Sequence, residues 1–248
     1  AESHYREALD RSRAVLGEGA PDALRCLNNL AALLWAQGRI EEAEPLFIEA
    51  LEQRRRVLGD DDPATLNSMN NVSMLLRTRG RLQEAESYAR QTLEARTRVL
   101  GEDHPHTVQS VNNLGLILRT QGRLAEAEPY YREALEKRRR LLGEAHPDTL
   151  ISVNNMGALL QAQGRLAESE PFLREAVAQR RISPGADHPD TLLGINNLGI
   201  LLRSLDRLDE AEPIARESYE GHRRILGDEH PSTLYATASL GELLRAQG

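Results

Sequence analysis

Between Asp22 and Gln37 the apolar residues Leu24, Leu27, Leu30, Ala31 and Leu34 fall along one stripe of a 3.6-residue helix. A second stripe follows from about Glu41 to Leu58, carried by Ala43, Leu46, Phe47, Ala50, Leu51 and Val57. Pro21 suits the first helical position of the first segment, where a missing N–H is harmless and φ is already set. Pro45 sits in the first turn of the second, where a lost donor is tolerated. Gly38 lets the backbone reverse between them, and Gly59 closes the pair. The pattern predicts a helical hairpin, helix A followed by helix B. Glu41, Glu42 and Glu44 lie at the positive end of helix B, and Arg54, Arg55 and Arg56 at its negative end, as the helix dipole favours.

The hairpin then recurs. Asn28-Asn29, Asn70-Asn71, Asn112-Asn113, Asn154-Asn155 and Asn196-Asn197 are each separated by 42 residues, and Pro21, Pro63, Pro105, Pro147, Pro189 and Pro231 keep the same period. Asp62, His104, His146, His188 and His230 precede the later prolines, near the N-cap. Ala43, Ala85, Ala127 and Ala211 hold one close approach, with Ser169 as the exception. A fixed period in this range marks a solenoid, whose units touch only their neighbours. The expectation is therefore an all-α array of about 12 antiparallel helices forming one domain over residues 1–248. It divides into a partial unit 1–20, repeats 21–62, 63–104, 105–146, 147–188 and 189–230, and a partial unit 231–248. Irregularities cluster late. Ser183-Pro184 should end the fourth B helix early, Leu205-Asp206 replaces Gln-Gly at the fifth turn, and Ala238-Ser239 stands where a sixth Asn-Asn belongs. The chain starts inside a B helix and stops after an A helix, which predicts a piece of a longer array or ends that pair with another chain.

Composition narrows the function. A net charge of −7 argues against a nucleic-acid footprint. No apolar run approaches membrane-spanning length, and no signal peptide is visible. The single cysteine, Cys26, excludes an internal disulfide, fits a reducing compartment and reads as a small core residue, so a cytoplasmic location is expected.

Candidate chemistry is sparse. The periodic histidines sit one repeat apart, roughly 10 Å between helix axes, too far to share a zinc ion with bonds near 2 Å. No glycine-rich phosphate loop occurs. The reading is of a protein without catalytic residues, metal or cofactor.

The spaced set Leu30, Ala31, Leu34, Ala43, Phe47 and Ala50 resembles the tetratricopeptide repeat, and Leu114, Gly115, Leu118, Ala127, Tyr131 and Ala134 resemble it more closely still. The recurring Asn-Asn-Leu, Gln-Gly-Arg, Glu-Ala-Glu-Pro and Leu-Gly-Glu-Asp-His-Pro elements are similar to the kinesin-light-chain type, and cover the whole chain. This resemblance implies a right-handed superhelical solenoid with A helices lining a concave groove that holds extended peptides. No heptad segment for a motor heavy chain is present.

Helical geometry places Arg25, Asn28, Ala32, Trp35 and Ala36 on one arc beside the packing stripe. Across repeats, position 25 varies to Asn67, Gln109, Ile151 and Leu193, whereas position 28 stays Asn despite its poor helix propensity. Asn28, Asn70, Asn112, Asn154 and Asn196 are therefore candidates to grip a peptide backbone, against the alternative that they bond between neighbouring A helices. Asn29, Asn71, Asn113, Asn155 and Asn197 point about 100° further round, toward the next repeat. A second row holds Trp35, Arg77, Arg119, Gln161, Arg203 and Arg245; its arginines suit carboxylates, or are solvated helix ends. Met74, Leu116 and Ile200 would supply apolar pockets between the rows. The expected partner is a protein or peptide, acidic around a hydrophobic anchor, and the expected role is an interaction scaffold. Two alternatives remain: a sensor or regulatory array beside an ATPase or protease domain, and a repeat that self-associates through uncovered ends.

Overall fold

The computed structural model describes residues 2–248. Among the described residues there are twelve α-helices and no strand. The chain divides into two compact units, residues 1–134 and 135–248. The first contains α1 (Glu2–Leu16), α2 (Pro21–Ala36), α3 (Ile40–Leu58), α4 (Pro63–Thr78), α5 (Leu82–Leu100), α6 (Pro105–Thr120) and the start of α7 (Leu124–Leu142). The second contains the rest of α7, then α8 (Pro147–Ala162), α9 (Leu166–Arg180), α10 (Pro189–Ser204), α11 (Leu208–Leu226) and α12 (Pro231–Gln247). Even-numbered helices are the A helices of the sequence pattern, and odd-numbered ones the B helices.

Each A helix begins on a proline, and from α4 onward the side chain before it caps the end. The Asp62 carboxylate accepts from the Ala64 N–H at 2.8 Å. His146 Nδ1 accepts from the Asp148 N–H at 3.1 Å, and His104, His188 and His230 repeat the contact. An Nδ1 that accepts leaves the ring proton on Nε2. The A-to-B reversals run through left-handed glycines such as Gly80, with φ +74°. At the fifth turn Asp206 takes this conformation, with φ +59°. The fourth B helix does end early: α9 has 15 residues where α3, α5, α7 and α11 have 19. A short π-helical segment, Arg181–Gly185, follows, with Ser183 in an extended conformation. Pro184 offers no N–H to continue the helical ladder.

Within hairpins the close approach is tight. Ala43, Ala85, Ala127, Ser169 and Ala211 are fully buried. Ser169 earns its exception: its hydroxyl donates to the Gly157 carbonyl at 2.9 Å, and Ser73 makes the converse bond to the Ala85 carbonyl at 2.8 Å.

Between hairpins the join is polar. Arg54, Arg96 and Arg138 are buried, not merely aligned with the helix dipole as their place in the sequence suggests. Arg96 Nη1 donates at 2.8 Å to both the His106 carbonyl and Ser110 Oγ, and its Nη2 to Asn67 Oδ1 at 2.6 Å. Arg54 binds the Ala64 carbonyl and Ser68, and Arg138 the Asp148 carbonyl and Ser152, in the same way. Each guanidinium thus holds the first turn of the next A helix. Burial among neutral acceptors pulls Arg96 down to about 10. At the fourth join Ser gives way to Gly194, where a Cβ would lie 3.2 Å from Arg180 Nη1. At the fifth the arginine itself becomes buried His222, whose Nδ1–H donates to the Ser218 carbonyl at 2.9 Å.

A charge ladder marks the turns. Arg81 clamps Glu84 bidentately at 2.7 Å and reaches back 2.6 Å to Glu44 of the preceding repeat. Arg39, Arg123 and Arg207 do likewise, using Glu2, Glu86 and Glu170. The glutamates expected only to favour the helix dipole therefore also tie repeats together.

Candidate functional site

The asparagine registers meet across repeats. Asn71 Nδ2 on α4 donates to Asn28 Oδ1 on α2 at 3.1 Å, and Asn113 Nδ2 on α6 donates to Asn70 Oδ1 on α4 at 2.8 Å. Asn71 and Asn113 thus each engage the carbonyl of the first asparagine one repeat back. The amide nitrogens of Asn28 and Asn70 have no partner among the described residues. Both side chains are half-buried, and neither nitrogen is among the fully buried atoms without a partner, so these donors keep access to solvent. Asn112 is 5% exposed and Asn196 1% exposed, much deeper than Asn28 and Asn70. Asn154 donates to its own helix, at the Leu150 carbonyl, 2.7 Å away. Asn196 donates to Ser239 Oγ at 3.3 Å, so at the irregular sixth pair the bond runs the opposite way, from the first register to the second.

The second row is uneven. Trp35 packs edge-on against Phe47, with ring centroids 6.1 Å apart. Arg203 is ion-paired with Glu242 on α12. Arg77 and Arg119, half-buried on α4 and α6, have neither an ion pair nor a side-chain hydrogen bond among the described residues. Burial lowers Arg77 from its ordinary value, with the Tyr131 hydroxyl opposing this and the Arg119 charge adding to it. Met74 and Leu116 lie half-buried between the rows of the first unit.

In the second unit the same A-helix face forms a trough of about 400 Å³. Ile151, Asn154, Ala158 and Gln161 of α8 form one wall, Leu193 and Asn197 of α10 another, with Leu173, Ala176 and Arg180 of α9 completing it. Ile151 is 48% and Leu193 44% exposed, apolar surface at positions that hold Arg25, Asn67 and Gln109 in the first unit. A neighbouring hollow of about 350 Å³ shares Gln161 and Asn197 and adds Ile200 and Tyr235. Asn155 and Asn197, expected to face the next repeat, also border the trough. Tyr131, read only as a packing residue, lies among the groove arginines' electrostatic neighbours. Its phenol recurs at Tyr5 of the partial unit, whereas Phe47, Ala89, Leu173 and Ala215 occupy its place in the other repeats.

Among the described residues no three His, Cys, Asp or Glu side chains are arranged to hold a metal ion, and no helix is long and apolar enough to cross a membrane. Stacked helical hairpins with an amide-bearing A face define a helical-repeat protein. The tetratricopeptide repeat model matches residues 1–47, 27–98, 74–140, 108–177, 148–221 and 193–248, and the chain belongs to this family.

Solved structures share its fold. BtubC (BKLC) from P. vanneervenii superposes with a TM-score of 0.78 at 23% identity, covering 93% of this chain and 92% of that one. A putative kinesin light chain of Podosopora anserina with nearly identical TPR-like repeats gives 0.72 at 21% identity, covering 84% and 98%. The Rap conjugation gene regulator of plasmid pLS20, solved in complex with the Phr* peptide, gives 0.65 at 14% identity, covering 95% of this chain and 64% of that one. No curated protein sequence matches the chain.

Proposed function

We propose that this protein is a non-catalytic interaction scaffold that holds an extended peptide segment on its A-helix face. The observation that carries the reading is the pair of solvent-accessible amide donors on Asn28 and Asn70, whose carbonyls are already held by Asn71 and Asn113. A row of fixed N–H donors suits the carbonyl groups of an extended backbone, because it grips without reading sequence. The exposed Ile151 and Leu193 in the second unit's trough suit an apolar side chain of the same class of ligand. The similar Rap regulator carries a peptide in its solved complex, and the shared fold supports the reading.

The test is selection of binding peptides from a random display library against the full chain, followed by Asn28→Ala with Asn70→Ala. Losing two ligand hydrogen bonds should weaken binding by about 1–3 kcal/mol. Selected peptides that bind the double variant as tightly as the parent, and Ile151→Asp equally, would sink the proposal.

A further inference from the structure

In the first unit a hollow of about 390 Å³ opens between the B helices α3 and α5. Arg55, Gln91, Glu94 and Ala95 line it, and buried Met69 of α4 forms its floor. None of the residues proposed to hold a peptide borders it. The repeat register shows how the hollow arises. At equivalent joins an arginine of one B helix reaches a glutamate of the next. Arg13 pairs with Glu49, Arg139 with Glu175 at 2.5 Å and Arg181 with Glu217 at 2.6 Å. The remaining join has Thr97 in the arginine's place. Opposite Arg55 the glutamate is replaced by Gln91, whose amide turns back to Ser87 Oγ at 3.1 Å. Ala95 stands where Gln53, Lys137 and Gln179 stand in other repeats, so no long side chain covers Met69. Gly221 is also small, but there Leu192 packs within 2.4 Å of where a Cβ would lie.

Arg55 keeps one carboxylate contact, from Nε to Asp60 Oδ1 at 2.9 Å, and this buried Nε makes no aligned hydrogen bond. Its two terminal nitrogens have no partner among the described residues, and neither has the Glu94 carboxylate. Asp61, the other acid at the rim, is held by Arg98. The hollow therefore offers a guanidinium edge, a carboxylate and an apolar floor. A simple anion would gain Arg55 but meet Glu94, Asp60 and Asp61, and a simple cation would meet Arg55 and Arg98. A small molecule carrying both charges satisfies the two open groups at once. We propose that this hollow binds a free aliphatic amino acid. Its carboxylate lies on Arg55 in the place of the missing glutamate, its ammonium on Glu94, and its side chain against Met69 and Ala95. The bound molecule then ties α3 to α5 as the Arg13–Glu49 pair ties α1 to α3. This site does not rest on the scaffold reading.

The test titrates the full chain calorimetrically with leucine, 4-methylpentanoate and 3-methylbutylamine, which share one branched skeleton and differ in charge. Leucine should bind at least about tenfold tighter than either single-charge analogue, and should raise the melting temperature by mass action. Arg55→Gln should leave leucine binding no better than the amine. Glu94→Gln should leave it no better than 4-methylpentanoate. Gln91→Glu and Ala95→Gln install residues that other repeats already carry at these positions, so the fold should stand in both. Each should weaken leucine at least about tenfold, the first by supplying the carboxylate from within and the second by filling the hollow.

Leucine and 4-methylpentanoate binding alike to the parent would remove Glu94 from the site and overturn the proposal. Undiminished leucine binding in Gln91→Glu or in Ala95→Gln would put the molecule elsewhere and overturn it too. Absence of both heat and melting shift with leucine ends it outright. None of these results touches peptide binding on the A-helix face, which Asn28→Ala with Asn70→Ala tests separately.

Discussion

Asn113 Nδ2 donates to Asn70 Oδ1 at 2.8 Å, so the two asparagine registers are halves of one contact between neighbouring A helices. Asn70 keeps its amide nitrogen without a partner among the described residues, and Asn113 holds that amide in place. The side chain proposed to face a ligand is thus also one that joins two repeats. Asparagine alone among small polar residues supplies both an acceptor and two donors on a planar group.

A double-mutant cycle on this pair should separate the roles. Asn70→Ala and Asn113→Ala should each lower stability by about 1 kcal/mol, with a coupling of about 0.5–1.5 kcal/mol. Only Asn70→Ala should additionally remove a ligand donor. Independent, fully additive effects on chemical denaturation would show that the bond carries no stability.

Arg96→Ala should be among the more damaging single substitutions in the first unit. It removes bonds to the His106 carbonyl, Ser110 Oγ and Asn67 Oδ1 at once, a loss of about 2–4 kcal/mol. Arg96→Lys should rescue little, since an ammonium cannot reproduce the planar fork. Arg56→Ala, at an exposed guanidinium bonded to Gln53, should stay within about 0.5 kcal/mol of the parent in urea unfolding.

Asp206→Gly should raise the melting temperature. Asp206 sits at φ +59°, where glycine carries no Cβ penalty, and the gain should be about 0.5–1 kcal/mol. Asp206→Val should cost more than that. A glycine variant that melts below the parent would mean the aspartate side chain contributes more than its backbone conformation loses.

Acid should loosen the turn ladder. Hydrogen bonds from Arg174 and Arg207 hold Glu170 below its ordinary 4.5, and one from Arg123 does the same for Glu126. A carboxylate whose folded pKa is depressed stabilises the fold fully above the unfolded value and loses that contribution as pH falls through the folded one. Stability should therefore be level from neutral pH to about 5 and decline below about 4.5. Glu170→Gln should flatten that decline in thermal melts from pH 3 to 7; an unchanged acid limb would remove Glu170 from the cause.

Much of the fold was legible because the repeat states each element several times over. Pro21 and its equivalents, the turn glycines and the apolar stripes predicted helix ends to within a residue or two, and Ser183-Pro184 announced the short fourth B helix. The joins were less legible. Arg54, Arg96 and Arg138 sit in basic last turns where an exposed charge would look the same, and only packing shows which arginine of three turns inward. The site was legible as a face but not in detail. Periodicity identified position 28 and position 35 as shared, yet the reach of Asn71 back to Asn28 depends on how far apart neighbouring A helices stand. The Tyr131 hydroxyl, buried without a partner among the described residues, could not be read, since the same position holds Phe, Ala, Leu and Ala in the other complete repeats and tyrosine again at Tyr5.

The back-reaching contacts also bear on how such a chain can change length in evolution. Arg54 reads the helix start that Arg96 and Arg138 read in turn, and every such bond spans a fixed stretch of sequence. Among the first three joins, excising a whole 42-residue period rejoins each arginine with a carbonyl and a serine of the same kind, wherever in the hairpin the cut falls. A deletion of any other size leaves a guanidinium and an amide facing the wrong neighbours. Gain and loss of entire units are thereby the tolerated steps. The substitutions at Gly194 and His222 mark joins where the grammar has already drifted, and where a duplicated unit from the first half would no longer splice in silently.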